Sequence, residues 1–222
     1  MEIRTTFHKK LREIQDDVLF MGSMVNKAII RSVEALKNRD LELARQIMLD
    51  DKKINNKRFE IEEKCIELIA TQQPMASDLR IIISVLNIIT ELERIGDHAE
   101  GTAKIAIMIG GEPPLKPLID IPRMAEKTVD MLRRSLDAFV ARDAEAAKKI
   151  IDEDDFVDNL YDQVFRELLT FMAEDGKTIT RATRLIWAAH NLERSADRVT
   201  NICERVVFVV TGKMEEIGGS KY

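Results

Sequence analysis

The sequence LERIGD at residues 92–97 returns almost unchanged as LERSAD at residues 192–197. In both copies a glutamate stands four residues before an aspartate, within a stretch whose apolar residues recur at helical spacing. Positions i and i+4 share one face of a helix, so each copy places two carboxylates side by side. Like charges at this spacing repel each other, and their repetition therefore indicates that each pair has a cationic partner.

The composition is that of a globular, helix-rich protein. The 222 residues are 45% hydrophobic, 33% charged and only 5% aromatic, a balance that favours helices over strands. The net charge of −5 argues against nucleic acid as a partner, which would require a basic face. The chain has no apolar leader after Met1 and no stretch near the ~20 apolar residues that cross a bilayer. We expect a cytoplasmic protein without direct membrane insertion, in which Cys65 and Cys203 are buried free thiols.

Proline positions divide the chain into two halves. Four of the five prolines lie between residues 113 and 122, shortly after Gly110 and Gly111, whereas the fifth is Pro74. Because helix interiors exclude proline, the segment 110–122 is interpreted as a linker between two regions of long helices. We predict two domains, a first three-helix repeat at residues 1–112 and a second three-helix repeat at residues 113–222.

Each half is predicted to contain three helices. In the first half they lie at residues 4–37, 41–72 and 77–110, with Ser77 or Asp78 as the N-cap of the third. In the second half one helix spans residues 123–140, the next follows a break at residues 141–143 and ends near Gly176, and the last spans residues 178–211. The predicted fold class is all-α, with six long helices in two tandem three-helix bundles from an internal duplication.

A second acidic segment is predicted to lie opposite each repeated motif. DKKIN at residues 51–55 corresponds to DDFVD at residues 154–158. Helices two and three fold back near residues 72–77, and at roughly 1.5 Å per residue this brings Glu93 and Asp97 level with residues 56 and 52. The same geometry holds in the second half. The predicted metal ligands are therefore Asp51, Asn55, Glu93 and Asp97 in the first half, and Asp154, Asp158, Glu193 and Asp197 in the second.

The chemistry of these two sets favours a hard cation. Carboxylate and amide oxygens suit iron, manganese, magnesium or calcium, and the lack of Cys or His argues against a structural zinc site. Asn55 gives the first set three carboxylates against four in the second, so we expect the second to bind cations more tightly. The alternative is that both sets are solvated acidic faces whose charges pair with Arg94, Arg194 and nearby lysines.

A series of short segments spread over the whole chain occurs in a specific order. It begins with QQPMASDLR at residues 72–80 and LERIGD at residues 92–97, and it ends with VVTGK at residues 209–213. Together with the DKKIN and DDFVD segments and the duplicated layout, this series closely resembles the PhoU family of bacterial phosphate-uptake regulators. Each motif is modest alone, and the resemblance depends on their combination.

The resemblance implies a cytoplasmic regulator that is not an enzyme. Proteins of this family negatively regulate the phosphate-starvation response, and they act between the phosphate ABC transporter, through its ATPase subunit, and a sensor histidine kinase. The resemblance also implies a homodimer. It further implies metal binding, in some members as iron clusters, through Glu/Asp-x-x-x-Asp motifs, which here are residues 93–97 and 193–197.

A different function remains open for an acidic helical bundle. A carboxylate-bridged di-metal protein, either a ferritin-like enzyme or a metal store, would build its site from Glu-x-x-His pairs. None of the three histidines in this chain has a glutamate three positions before it. We therefore expect a regulator with no catalytic residues.

Overall fold

The structure is a computed structural model that describes residues 2–215 and residue 217, with side chains from residue 5 onward. This part of the chain forms α-helices and contains no strand, so the all-α fold class is confirmed. The helices are α1 (Glu2–Asn38), α2 (Leu41–Gln72), α3 (Ala76–Ile109), α4 (Asp120–Ala141), α5 (Ala144–Asp152), α6 (Asp154–Glu174) and α7 (Ile179–Thr211), with a short 3-10 helix at Gly176–Thr178.

Capping residues determine where the second helix of each half begins. Asp40 and Asp143 each accept a hydrogen bond at 2.9 Å from the backbone N–H three residues later, which satisfies a free donor of the first turn. The preceding residues, Arg39 and Arg142, have left-handed φ values of 57° and 56°, a conformation that ends a helix. The predicted breaks at residues 38–40 and 141–143 are confirmed.

The predicted N-cap of the third helix is wrong. Its N-cap is Met75, which makes no side-chain capping hydrogen bond, so neither Ser77 nor Asp78 has that role. Met75 follows Pro74 and has the extended backbone of an N-cap residue, with φ −71° and ψ 163°, so the helix begins at Ala76, before Ser77.

The helix predicted to follow residue 143 is interrupted, and this break was not expected from the sequence. It divides at Glu153 into α5 and α6, and the Glu153 N–H donates to the Ile150 carbonyl in a tightened last turn. Four successive acids at residues 152–155 account for the break, because negative side chains are favoured at the start of a helix and disfavoured at its end.

Helices α3 and α7 form the centre of the molecule. Helix α3 packs against α1, α2 and α7, while α7 packs against α3, α4, α5 and α6. The two run antiparallel, since Asn201 donates to Glu91 at 3.3 Å and Arg184 donates to the Met108 carbonyl at 2.6 Å. Buried apolar residues from both halves form one continuous cluster around this pair. The division into domains at residues 112 and 113 stays a prediction.

Two further expectations concern the cysteines and the membrane. Cys65 and Cys203 are buried free thiols as predicted, and burial raises the pKa of each to about 12. None of the described helices combines the length and the apolar character that a transmembrane span requires.

Candidate metal centres

The first acidic cluster lies between α2 and α3 and consists of Asp51, Asn55, Glu93, Asp97 and Glu100. Burial, followed by repulsion from Glu93, Asp51 and Glu100, raises the pKa of Asp97 to about 6. Burial, followed by repulsion from Glu100, also raises the pKa of Asp51. The carboxylates that were predicted to face each other therefore lie near enough to interact, and their repulsion disfavours ionisation of Asp51 and Asp97.

Close approach of the two helices brings Asp51 towards α3. A Cβ atom added at Gly96 would lie 3.3 Å from the Ile54 side chain and 3.7 Å from Asp51 Oδ1, so glycine leaves room for this contact. Asn55 Nδ2 donates to Asp51 Oδ2 at 2.9 Å. Among the described residues no donor reaches the buried Asp51 Oδ1 or Asn55 Oδ1. Buried acceptors without a donor are costly, and both oxygens fit the role of cation ligands.

A cavity of about 170 Å³ opens beside the first acidic cluster. Asp51, Gly96 and Glu100 form part of its wall, and Lys27 and Arg31 of α1 form another part. One water occupies roughly 30 Å³ of the liquid, so this volume can hold a hydrated ion.

The second acidic cluster lies between α6 and α7 and consists of Asp154, Asp158, Glu193 and Asp197. One oxygen from each of the three aspartates lies within 4.8 Å of the other two. Burial, followed by repulsion from Asp158, Asp197 and Glu193, raises the pKa of Asp154 to about 7. Burial and then Asp197 raise the pKa of Glu193 to about 7. The structure thus brings together all four residues predicted in the second half.

The second acidic cluster also contains a buried oxygen that has no donor. No hydrogen bond to Asp154 Oδ1 is formed by the residues that the structure describes. Three aspartate oxygens at this separation repel strongly unless protons or a cation neutralise them. The geometry therefore suits an oxygen-ligated cation in the second half. Among the described residues, no three carboxylates of the first acidic cluster approach one another this closely.

Two residues beside the clusters escaped the sequence prediction. Glu100 lies three positions after Asp97 on the same helix face, and it adds a carboxylate to the first cluster that also accepts a hydrogen bond from Lys104. His190 lies three positions before Glu193, and its Nδ1 is 3.2 Å from Glu193 Oε2. Both residues could have been found by searching three positions on either side of each motif.

The arginine that follows each repeated glutamate pairs on its own helix. Arg194 donates to Asp197 Oδ2 at 2.8 Å, which partly neutralises the second acidic cluster. Arg94 lies 3.6 Å from Glu91, outside the first acidic cluster. Charge pairing of the kind expected for a solvated acidic face therefore occurs at Arg194 but not at Arg94. In the first acidic cluster it comes instead from Lys104, which donates to Glu100, and from Arg58, which lies 3.9 Å from Glu93.

Comparison with known proteins identifies one family over nearly the whole chain. The sequence model described as the PhoU domain matches residues 18–106 and again residues 121–206. The phosphate-specific transport system accessory protein PhoU homolog of Clostridium acetobutylicum is 40% identical over 215 residues, covering 96% of this chain and 98% of that protein. The accessory protein PhoU of Escherichia coli K12 is 35% identical over 216 residues, covering 97% and 90%.

Solved structures show the same similarity in three dimensions. The crystal structure of PhoU from Pseudomonas aeruginosa has a TM-score of 0.87 and 37% identity, covering 93% of this chain and 100% of that one. The phosphate transport system regulatory protein PhoU from Streptococcus pneumoniae has a TM-score of 0.88 and 31% identity, covering 95% and 99%.

Proposed function

Since this chain belongs to the PhoU family, we propose that it is an accessory protein of phosphate-specific transport. The observation that carries this proposal is a sequence identity of 35–40% to proteins of that name, over nearly the full length of this chain and of each relative. The match includes both halves of the chain, and therefore both acidic clusters.

We propose further that the protein negatively regulates the phosphate-starvation response from the cytoplasm. Its partners would be the ATPase subunit of the phosphate ABC transporter and a sensor histidine kinase, and it would act as a homodimer. The regulatory part of this proposal is supported by the Streptococcus pneumoniae relative, whose structure is described as a phosphate transport system regulatory protein.

We propose that each acidic cluster binds a cation, with iron, manganese or magnesium as candidates. Support comes from Asp51 Oδ1, Asn55 Oδ1 and Asp154 Oδ1, buried oxygens without a donor among the described residues. A bound cation would satisfy them and offset the repulsion that raises the pKa of Asp97 and Asp154. Its chemistry would be structural or regulatory, since it would join α2 to α3 or α6 to α7.

The di-metal alternative has one observation in its favour, the contact between His190 and Glu193. Ferritin-like sites use a histidine three positions after a glutamate, whereas His190 lies three positions before one. The order is reversed and occurs in one half only, because the position matching His190 in the first half is Thr90. We therefore favour the regulator, with no enzymatic role.

Metal analysis of purified protein tests the cation proposal. Wild-type protein purified with metal present should carry iron or manganese, and the double variant Asp97→Asn, Asp197→Asn should carry much less. A matched control is Asp16→Asn, Asp137→Asn, which removes one exposed carboxylate from each half outside the clusters. Equally low metal content in all three proteins would contradict the proposal.

The regulatory proposal is tested in a strain that lacks its own accessory protein and carries a phosphatase reporter. Expression of this chain should repress the reporter in high phosphate and permit its activity in low phosphate. Constitutive reporter activity despite good expression would refute the assignment. The two double variants in the same strain would show whether repression requires the acidic clusters.

A further inference from the structure

In each repeat an arginine of an earlier helix forms an ion pair with an acidic residue. That acid directly precedes, in the sequence, the first residue of the cluster. Arg31 of α1 donates to Asp50 at 3.0 Å, and Asp50 precedes Asp51. Arg134 of α4 donates to both carboxylate oxygens of Glu153, at 2.7 Å each, and Glu153 precedes Asp154. These ion pairs occupy corresponding positions of the two repeats, because each arginine lies seven residues before the end of its helix.

The ion pair in the second repeat has two hydrogen bonds between the arginine and the carboxylate, whereas the pair in the first repeat has one. A guanidinium group that donates two parallel hydrogen bonds fixes the orientation of a carboxylate as well as its distance. Arg134 also donates to Asp130 at 3.1 Å on its own helix, and Lys127 of α4 donates to Glu153. About two thirds of the Arg134 side chain and three quarters of the Glu153 side chain are shielded from solvent, so the pair is screened less than a surface pair.

The second repeat also has greater need of such an ion pair. Helix α2 runs without interruption through Asp51, whereas α5 ends at Asp152 and α6 begins at Asp154. Asp154 is therefore the first residue of a new helix, and continuous helical hydrogen bonds do not hold its direction. Repulsion from Asp158, Asp197 and Glu193 would move it away from α7.

We propose that Arg134, acting through Glu153, positions Asp154 within the second acidic cluster for the cation. This inference rests on the cation site under the proposed function. The hydrogen bonds found for Arg134 go to Glu153 and Asp130, neither of which belongs to the cluster, so it is a positioning residue rather than a ligand. Arg31 acts in the same way on Asp51 through Asp50, with a smaller effect because α2 is continuous.

Calorimetric titration of the full chain with Mn²⁺ tests this role. The parent carries Asp51→Asn and Asp97→Asn, which remove two carboxylates of the first acidic cluster so that binding reports on the second. In this background Arg134→Met should weaken Mn²⁺ binding at least tenfold, and Glu153→Gln should weaken it by a similar factor. Arg134→Lys keeps the charge but loses the paired hydrogen bonds and should fall between Met and the parent.

The matched control is Arg133→Met. Arg133 is the neighbouring residue of α4, is exposed, and pairs only with Asp130 and Asp137 in the hydrogen bonds found for its side chain. It should leave Mn²⁺ affinity within twofold of the parent. Amide hydrogen exchange of the metal-free proteins supplies a second readout: Arg134→Met should speed exchange at residues 150–158 and leave α7 unchanged.

The possible results separate the two proposals. A parent that binds no Mn²⁺ refutes both the cation site and the part of Arg134 in it. A parent that binds Mn²⁺ while Arg134→Met binds as tightly as Arg133→Met refutes only the positioning role. Weaker binding together with faster exchange confined to residues 150–158 supports it, whereas faster exchange throughout the chain shows general destabilisation and refutes it.

Discussion

Asp154 carries a carboxylate whose ionisation the folded protein opposes. Its pKa is raised from 3.8 to about 7, first by burial and then by Asp158 and Asp197. Above pH ~7 the group is ionised in both the folded and the unfolded chain, and the folded state bears the full cost of burial and repulsion. Below pH ~4 the group is protonated in both states and the cost disappears. Its contribution to stability therefore falls as pH rises from about 4 to 7.

The variant Asp154→Asn should accordingly stabilise the metal-free protein at pH 8 by about 1–2 kcal/mol, a figure that allows for partial exposure of the group. At pH 4 the gain should be near zero. Urea denaturation with a chelator present measures both values. Asp152→Asn, which changes an exposed carboxylate two residues away, is the control and should shift stability little at either pH. A gain of equal size at both pH values would contradict the electrostatic explanation.

At the scale of the helices, an aspartate N-cap begins the second helix of each repeat. Asp40 caps α2 and Asp143 caps α5, and both side chains accept the backbone N–H three residues later. The caps matter because each follows an arginine in the left-handed conformation, where the chain reverses between two antiparallel helices.

Removal of a cap should cost stability without altering the fold. Asp143→Ala should lower the free energy of unfolding by about 1 kcal/mol, because the first turn of α5 loses an acceptor for its free N–H. Asp143→Asn keeps that acceptor and should lose less. Chemical denaturation followed by circular dichroism measures both. The exposed Asp137→Ala in α4 serves as the comparison, and an Asp143→Ala effect no greater than that of Asp137→Ala would show that the cap contributes nothing.

At the scale of the molecule, the α3–α7 pair joins the repeats and lies beside both acidic clusters. Glu91 accepts hydrogen bonds from Arg198 and Asn201 at 3.4 and 3.3 Å, and Asn191 donates to Thr102 at 3.4 Å. These contacts enclose residues 93–97 on one helix and residues 193–197 on the other. The two clusters therefore flank one shared interface. A cation bound in one cluster would contact a central helix that packs against the central helix of the other cluster.

A shared core predicts that the repeats unfold together. Leu92→Ala removes a fully buried side chain of α3 and should destabilise the protein by about 2–5 kcal/mol. Trp187, the single tryptophan, lies on α7 in the second repeat and reports unfolding there. Its fluorescence transition in Leu92→Ala should shift to lower urea by the same amount as the circular dichroism transition.

The corresponding variant Leu192→Ala, in the second repeat, provides the matched comparison. If the tryptophan transition stays at its wild-type midpoint in Leu92→Ala and moves only in Leu192→Ala, the repeats are independent folding units. Coincident transitions in both variants would show that the two repeats form one cooperative unit.

The local content of the sequence determined most of the architecture. The helices follow from helical periodicity, from the absence of proline within their interiors and from the turns at Arg39 and Arg142. Each of these signals depends only on residues within a few positions of one another. Two carboxylates four positions apart must share a helix face, so the pairs at residues 93–97 and 193–197 required no structure to find. The combination of motifs also indicated the family.

Tertiary packing decided which residues of other helices lie next to those carboxylate pairs. The approach of α2 to α3 at Gly96 and the break at Glu153 place Asp51 and Asp154 in their clusters. Periodicity specifies the face on which a side chain lies but neither the distance between two helices nor their relative rotation. Those depend on the summed fit of many buried side chains far apart in sequence, and the ion pair between Arg134 and Glu153 becomes visible only once that fit is known.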